Sequence, residues 1–263
     1  MGTYAAVVLA GGAARRMGGV DKPALPVGGR PMRDRVLAAV SDATPRVLVG
    51  AADAVPAGVR VVREDPPGGG PVAAAAAGLA LLDPDVTVVA LLAADLPLLT
   101  RTAIGDLLKH LDLEAPDTEP AGGGSAPALP AHGGSAPALP AHGGSAPAAP
   151  AYSGVASAPP AHSGVAPPVY SGLGGAERGP DGACFVDGDG RRQSLCGVWR
   201  VAALRAALDR LRVERGGSLS GAPVRALLAG LVVREMAWSG EGPPPWFDCD
   251  TDEDVRRAEE WAR

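Results

Sequence analysis

The fold is decided by residues 7–22, which read Val-Val-Leu-Ala-Gly-Gly-Ala-Ala-Arg-Arg-Met-Gly-Gly-Val-Asp-Lys. The short, continuous apolar run over residues 3–10 predicts a buried strand. Gly11 and Gly12 follow at once, and glycine lets the backbone bend into conformations that other residues avoid. Backbone N–H groups in such a turn form a concavity that binds anions. The stretch therefore predicts a strand that leads into a phosphate-binding turn.

Positive side chains after this turn strengthen the prediction. Arg15 and Arg16 can each donate to two phosphate oxygens, and Lys22 adds a compact mobile charge. The spacing is neither Gly-x-x-x-x-Gly-Lys-Ser/Thr nor Gly-x-Gly-x-x-Gly, because the glycines are adjacent. We predict a triphosphate site of another class. The alternative is a strand, a flexible turn and a solvated basic patch.

Three motifs resemble the signature of the MobA-like nucleotidyltransferases: Leu9-Ala-Gly-Gly, Arg16-Met-Gly and Asp21-Lys22. Within that family the resemblance is nearest to the molybdenum cofactor guanylyltransferases; it covers residues 3–112 well and 183–262 more weakly. It implies a Rossmann-like fold and Mg²⁺-dependent transfer of GMP from GTP to the phosphate of a molybdopterin-type acceptor, with release of pyrophosphate. The nucleotide contacts that it implies are Leu9, Ala10, Gly11, Gly12, Arg16, Lys22, Asp65, Gly70 and Asp95, of which Arg16, Lys22 and Asp95 are the catalytic residues.

A carboxylate follows a second apolar segment. Residues 86–94 predict a buried strand, and Asp95-Leu-Pro comes directly after it. Ligands of open parallel sheets bind at the carboxyl ends of strands, and Mg²⁺ prefers carboxylate and phosphate oxygens. We expect Asp95 to hold Mg²⁺, which is also where the resemblance implies the metal aspartate; the alternative is an aspartate that only forms a turn.

The acidic segment after residue 247 has the spacing of a calcium loop at Asp248, Asp250, Asp252 and Glu259. Its sixth position is Glu253 instead of the required glycine, which argues against calcium. Thr251 and Asp254 predict a capping box at the start of a closing helix. The resemblance implies that Asp248 or Asp250 supplies a second metal ligand.

The chain departs from the family pattern at two places. The loop that relatives write Gly-Pro-Leu-Ala-Gly reads Gly70-Pro-Val-Ala-Ala, with small replacements at two positions, Val72 for Leu and Ala74 for Gly. The second predicted strand is followed by Gly50-Ala-Ala, where relatives often place an asparagine that contacts the nucleotide.

The order of elements predicts an α/β fold of the nucleotidyltransferase type, a mostly parallel sheet with helices on both faces. We expect strands near 3–10, 45–50, 59–64 and 86–94, and helices near 31–42, 71–82 and 101–112. Thr100 is a natural N-cap, and Pro31 suits a first helical turn. After residue 182 we expect a hairpin around Asp187-Gly-Asp-Gly, helices at 201–211 and near 221–230, a strand near 231–237 and a helix from Asp252.

A low-complexity segment separates the two ordered parts. Residues 121–150 repeat Ala-His-Gly-Gly-Ser-Ala-Pro-Ala-Leu-Pro, a unit with no apolar face and too much proline for helix or sheet. Its histidines at 132, 142 and 162 are copies within this unit and do not indicate a metal site. The sequence predicts three parts: a nucleotide-binding half (1–112), a disordered insertion (113–181) and the acceptor-side half of the same domain (182–263).

Composition excludes some classes of partner. A net charge of −5 argues against nucleic-acid binding through bulk charge, and no apolar run is long enough to span a bilayer. The widely spaced Cys184, Cys196 and Cys249 indicate buried thiols in a reducing cytoplasm. We expect GTP and a phosphorylated cofactor as partners. Two alternatives stay open: a cytidylyl- or other nucleotidyltransferase for a different acceptor, and a non-catalytic nucleotide-binding or scaffold protein.

Overall fold

β1, Ala5–Leu9, lies near the middle of the sheet, and every one of its residues is buried. We built the structure as a computed structural model, which describes residues 4–11, 21–52, 55–112 and 179–263. Gly12, Arg15 and Arg16 and residues 113–178 of the predicted insertion lie outside these residues. The described elements belong to one of the two units into which the chain divides, formed by Met1–Ala115 with Glu177–Arg263.

The strands after β1 are β2 (Pro26–Val27), β3 (Arg30–Pro31), β4 (Arg46–Val49), β5 (Val59–Val62), β6 (Val88–Ala93), β7 (Gly182–Val186), β8 (Arg192–Arg200) and β9 (Val233–Ala237). Within the described residues, seven of the nine strands form the main sheet, in the order β5-β4-β1-β6-β8-β7-β9. β5, β4, β1 and β6 run parallel to one another, and β8 is antiparallel to both β6 and β7. The short β2 and β3 pair with each other.

Helices cover both faces of this sheet. They are α1 (Met32–Ala39), α2 (Pro71–Ala80), α3 (Arg101–Asp112), α4 (Val201–Glu214), α5 (Val224–Leu227) and α6 (Asp252–Trp261). Alternate residues of β1 divide between two cores: Ala5, Val7 and Leu9 pack with α2 and α4, while Ala6 and Val8 pack with α1 and α3. The α/β class, the mostly parallel sheet and the two helical layers are confirmed.

α2 approaches β1 closely because of one glycine. A Cβ added at Gly78 would collide with the side chain of Val7 and lie 3.0 Å from Cγ2 of Val49. The alanine-rich sequence of this helix has the same effect, since small side chains let the helix sit tightly on the sheet. This contact fixes the layer beneath the strand that leads into the site.

Most predicted elements are present, with differences at their ends. α1 begins at Met32, because Pro31 ends β3 and occupies the N-cap position rather than the first turn. The helix expected near 221–230 is wrong in length: α5 covers only Val224–Leu227. Pro223 precedes it, and Gly230 has a φ of 81°, so the chain leaves helical geometry soon after Leu228. The Thr100 cap is confirmed, with the Ala103 N–H donating to its Oγ1.

None of the helices in the described parts of the chain has both the length and the apolar character needed to cross a bilayer.

Candidate functional site

Lys22 lies at the centre of a charged cluster formed by three distant segments. Its Nζ donates to Oδ2 of Asp95 at 2.6 Å and to Oδ1 of Asp250 at 2.7 Å. The Lys22 side chain is only 8% exposed, whereas Asp250 is 75% exposed, so the cluster runs from the interior to the surface. A buried ammonium that bridges two carboxylates is positioned by them, and its own charge is balanced.

The two carboxylates keep Lys22 charged. Burial disfavours the ammonium, but hydrogen bonds from Lys22 to Asp250 and Asp95 and their negative charges outweigh it, so the pKa of Lys22 is raised. A lysine with a raised pKa is a poor general base at neutral pH. Its chemistry here is that of a fixed positive charge, which suits the stabilisation of phosphate oxygens.

Asp95 stands at the carboxyl end of β6, where the parallel part of the sheet ends. β6 carries the buried run Val89–Leu92 and pairs with β1, so Asp95 and the turn after β1 reach the same edge of the sheet. The Cys249 N–H donates to the Asp95 carbonyl oxygen at 3.2 Å, which attaches the acidic segment to this edge. That bond explains how Asp250 reaches Lys22 from the far end of the chain.

The acidic segment leads into α6, whose N-terminus is capped. Thr251 accepts the Asp254 N–H, and Asp254 accepts the Thr251 N–H, so the predicted capping box is confirmed. Asp248 lines the same cavity as Asp250. Partial burial and the charge of Asp250 raise the pKa of Asp248, which marks a local excess of negative charge. Such an excess favours a cation or a positively charged group beside these carboxylates.

Asp21 is supported from α1. Nη1 of the buried Arg33 donates to Oδ2 of Asp21 at 3.1 Å. The Asp21 carbonyl oxygen also accepts the Ala24 N–H, closing the 3₁₀ turn Lys22–Ala24. Arg33 therefore fixes the residue before Lys22, and no motif in the sequence indicated this role.

Glu64 is a site-adjacent acid that the sequence analysis missed in favour of its neighbour Asp65. Glu64 is 7% exposed, and its Oε1 accepts the Gly68 N–H at 3.0 Å. The same oxygen would lie 3.2 Å from a Cβ at Gly11, so the carboxylate faces the turn after β1. The signal in the sequence was a second carboxylate directly beside Asp65, and burial distinguishes the two.

The departure at Gly50 has a structural reason. Its φ of 142° disfavours residues with a side chain, and a Cβ there would lie 3.0 Å from the Ala10 carbonyl carbon. The end of β4 is therefore pressed against the end of β1, and Gly50 itself offers no side-chain amide to a nucleotide.

A cavity of ≈ 450 Å³ opens above this edge of the sheet. We name two parts of its lining. The charged wall is Lys22, Asp95 and Asp250, and the apolar wall is Leu195, Cys196 and Trp246. The remaining lining residues come from the strand ends and loops around them: Leu9, Ala10, Gly11, Pro23, Pro71, Ala93, Ala94, Leu96, Gln193 and Asp248.

The structure brings only some of the predicted site residues together. Five of the nine predicted nucleotide contacts line the cavity, namely Leu9, Ala10, Gly11, Lys22 and Asp95, and so do both candidate second metal ligands, Asp248 and Asp250. Asp65 and Gly70 do not line it, although Pro71 beside Gly70 does. Gly12 and Arg16 lie outside the described residues. In β8, within the predicted acceptor-side half, Gln193, Leu195 and Cys196 line the cavity, while Trp199 is fully buried.

No group of three or more acidic, histidine or cysteine side chains in the described ranges could hold a metal ion by itself. Asp95 and Asp250 are nevertheless hard oxygen ligands that meet at one point, the Lys22 ammonium. Mg²⁺ is commonly held by one or two carboxylates while substrate phosphates complete its shell. The donor set therefore fits a divalent cation that arrives with a nucleotide.

Comparison with known proteins identifies the family and the fold. The sequence pattern of the MobA-like NTP transferase domain matches residues 6–161, more than half of the 263-residue chain. No curated protein sequence matches the chain.

Solved structures of low sequence identity share the fold. One is molybdopterin-guanine dinucleotide biosynthesis protein A from Archaeoglobus fulgidus, with a TM-score of 0.55, 16% identity and coverage of 97% of this chain and 96% of that one. Another is 2-C-methyl-D-erythritol 4-phosphate cytidylyltransferase from Thermus thermophilus, with a TM-score of 0.54, 16% identity and 99% coverage of both chains. Rv0371c from Mycobacterium tuberculosis H37Rv has a TM-score of 0.56 at 18% identity, with 98% of both chains covered.

The chain belongs to the MobA-like NTP transferase family. It is a nucleotidyltransferase, an enzyme class whose substrates are a nucleoside triphosphate and a phosphorylated acceptor. The resemblance found in Leu9-Ala-Gly-Gly and Asp21-Lys22 is thereby confirmed at the level of the family.

Proposed function

We propose that this MobA-like nucleotidyltransferase moves GMP from GTP to the phosphate of a molybdopterin-type cofactor and releases pyrophosphate. The observation that carries the proposal is the position of Lys22. A buried ammonium, paired with Asp95 and Asp250, stands at the carboxyl end of the central strands and faces a cavity that the glycine turn also lines. The choice of GTP rests on the resemblance of Leu9-Ala-Gly-Gly with Asp21-Lys22 to the guanylyl branch.

The reaction joins two phosphates. An oxygen of the acceptor phosphate forms a bond to the α-phosphorus of GTP, the bond from that phosphorus to the β-phosphate bridging oxygen breaks, and pyrophosphate leaves with the electron pair. Positioning and charge stabilisation dominate such chemistry, so no side-chain nucleophile is needed. Backbone N–H groups after Gly11, together with Arg16, would hold the β- and γ-phosphates, and Lys22 would stabilise charge on the α-phosphate.

Magnesium is part of this proposal. Asp95 and Asp250 would hold it, with Asp248 as the alternative second carboxylate. A divalent ion there supplies charge neutralisation to the phosphate oxygens. The protein's own contribution is to keep the carboxylates at one edge of the sheet, which the Cys249–Asp95 backbone bond does. The cytoplasmic location inferred from the three thiols stays a prediction alongside it.

A cytidylyltransferase is the second candidate, and one observation favours it. The cytidylyltransferase from Thermus thermophilus matches the fold about as well as the guanine dinucleotide protein, with TM-scores of 0.54 and 0.55. The shared triphosphate machinery would serve either nucleotide. The same assay separates the two candidates.

The test supplies the full chain with Mg²⁺, molybdopterin-type cofactor and one of ATP, GTP, CTP or UTP, and measures pyrophosphate. We expect release with GTP alone, one pyrophosphate for each acceptor consumed. Release with CTP alone would assign the cytidylyl branch and overturn the guanylyl proposal. Binding of nucleotide without any pyrophosphate would overturn both.

A further inference from the structure

Trp246 provides an aromatic surface in a cavity that is otherwise lined by aliphatic and polar groups. It is the one aromatic side chain among the described residues of the lining. It is half-buried, so part of the indole faces the cavity and part packs inward. The sequence analysis assigned it no role, because a single tryptophan after Pro243-Pro244-Pro245 matches no motif.

The indole packs against one aromatic ring, which itself packs against a second. The ring centroid of Phe185 lies 5.2 Å from that of Trp246, with 32° between the planes. Phe185 is fully buried and meets Trp238 edge-on at 5.6 Å. The Phe247 N–H also donates to the Pro244 carbonyl oxygen at 3.1 Å, closing a turn around Trp246. A ring held in this way loses little conformational freedom when a ligand stacks on it.

Trp246 and the glycine turn lie on opposite flanks of the charged wall. In the sheet order β5-β4-β1-β6-β8, the turn after β1 faces Glu64, beyond β5. Trp246 shares its wall with Leu195 and Cys196 of β8, on the other side of β6. The nucleotide contacts predicted at Asp65 and Gly70 follow β5, so a nucleoside that reaches them lies on the β4–β5 flank and leaves the Trp246 flank for the second substrate.

The distance along the chain fits a ring joined to a phosphate by a short linker. Trp246 precedes Asp248 by two residues and Asp250 by four, and an extended residue spans about 3.3–3.6 Å. A ring on Trp246 would thus lie on the order of 7–14 Å along the chain from the Lys22 cluster. At the cavity edge, Gln193 is held in place because its amide donates to Asp187 Oδ2 at 3.1 Å.

We propose that Trp246 is the stacking platform for a planar heteroaromatic ring of the acceptor, whose phosphate reaches the Lys22 cluster. This inference rests on the proposed nucleotidyl transfer and adds the side chain that holds the ring of its acceptor. Stacking on an aromatic side chain is worth about 1–3 kcal/mol by truncation, which corresponds to roughly 5- to 150-fold in affinity. The loss should fall on the acceptor and spare the nucleotide.

The kinetic test compares Trp246→Leu with Trp246→Phe, using Trp261→Phe as the matched control on the surface. Trp261 is 42% exposed and does not line the cavity. We expect Trp246→Leu to raise the KM for acceptor at least about fivefold and to change the KM for GTP by less than about twofold. Trp246→Phe keeps a ring and should recover most of the acceptor affinity. A KM change for GTP alone would place the nucleobase on Trp246 and overturn the assignment.

A binding test does not depend on turnover. The bicyclic probe 6-hydroxymethylpterin is titrated into the full chain while tryptophan emission is followed. Wild type and Trp261→Phe should show quenching, and Trp246→Leu should show none at the same probe concentration. If the wild type quenches and binds but releases no pyrophosphate with any nucleotide, the transfer reaction fails while the stacking site stands. If Trp246→Leu binds the probe and acceptor like the wild type while transfer continues, the stacking site is wrong and the transfer reaction stands.

Discussion

The charged wall and the apolar wall of the cavity are built in different ways. The charged wall joins Lys22, Asp95 and Asp250, which lie far apart in the chain and meet through bonds of 2.6 and 2.7 Å. The apolar wall joins neighbours on β8 to Trp246, held by ring contacts. The first wall combines one ammonium with two carboxylates, which suits phosphates that arrive with a divalent cation, and the second offers a surface suited to a ring. Under our proposals, the charged wall serves the reaction and the apolar wall serves acceptor recognition.

The largest expected effect on this division of roles comes from removing the Lys22 ammonium. We expect Lys22→Ala to lower the turnover number about 10²–10³-fold, because one electrostatic stabiliser of the developing charge is lost. Lys109→Ala is the matched control, since Lys109 is 62% exposed and pairs only locally with Asp106. Pyrophosphate release at saturating acceptor measures the effect. Transfer by Lys22→Ala at the wild-type rate would remove the charged wall from the reaction.

A substitution in α2 tests the packing of the sheet that supports both walls. Gly78→Ala forces a Cβ against Val7, and we expect it to lower the free energy of unfolding by about 1–3 kcal/mol. Gly105→Ala on α3 meets no atom within 4 Å and should raise it by about 0.5–1 kcal/mol through helix propensity. Urea unfolding measures both changes. Equal effects of the two substitutions would show that α2 is not packed tightly on β1.

The pH dependence of stability tests whether the Lys22 ion pairs hold the charged wall together. Folding raises the pKa of Lys22, so its contribution is complete below the unfolded pKa and disappears as pH rises through the folded one. We expect the stability difference between wild type and Lys22→Met, about 1 kcal/mol at pH 8, to shrink above pH 10.5. Urea unfolding of both proteins at each pH isolates the contribution of Lys22 to the free energy of unfolding, because the other groups titrate in both proteins. A difference that grows with alkaline pH would contradict the pairing.

The smallest effect concerns the thiol in the apolar wall. Burial raises the pKa of Cys184 to about 11 and of Cys249 to about 12, and it raises the pKa of the fully buried Cys196 as well. All three thiols are therefore protonated at pH 8, and thiolate is the reactive form. We expect iodoacetamide to label none of them in the native protein and all three in urea, as read by intact mass. Rapid labelling of Cys196 would mean that the apolar wall is open and polar.

Strand ends were the part of the site that could be predicted from the sequence. Gly11 and Asp95 each follow an apolar run directly, and the carboxyl ends of adjacent parallel strands meet at one edge. The resemblance implied Asp248 or Asp250 at the metal site, but the direct bond from Lys22 to Asp250 could not be predicted, because the two residues lie 228 positions apart in the chain. The proposed role of Trp246 could not be predicted either, because the position of its ring depends on the contact with Phe185 from a distant strand. One aromatic residue in a proline-rich segment also carries no periodic signal.

Fold prediction succeeded where one physical signal dominated. α3 was expected over 101–112 and is observed at Arg101–Asp112, because an N-cap at Thr100 and a regular apolar face define it. α5 was overestimated because its weak apolar pattern competes with Pro223 at one end and Gly230 at the other. Whether Glu64 or Asp65 is buried depends on the direction in which the chain leaves β5. A sequence pattern does not specify that direction.

The most direct test of the central claim is the position of a bound triphosphate. Crystals of the full chain soaked with GTP and Mn²⁺, an anomalous scatterer in place of Mg²⁺, would locate both. The account predicts an anomalous peak beside Asp95 and the triphosphate between the turn after Gly11 and Nζ of Lys22, with the guanine on the β4–β5 flank. A triphosphate bound away from Lys22 and Asp95, or a guanine stacked on Trp246, would contradict it.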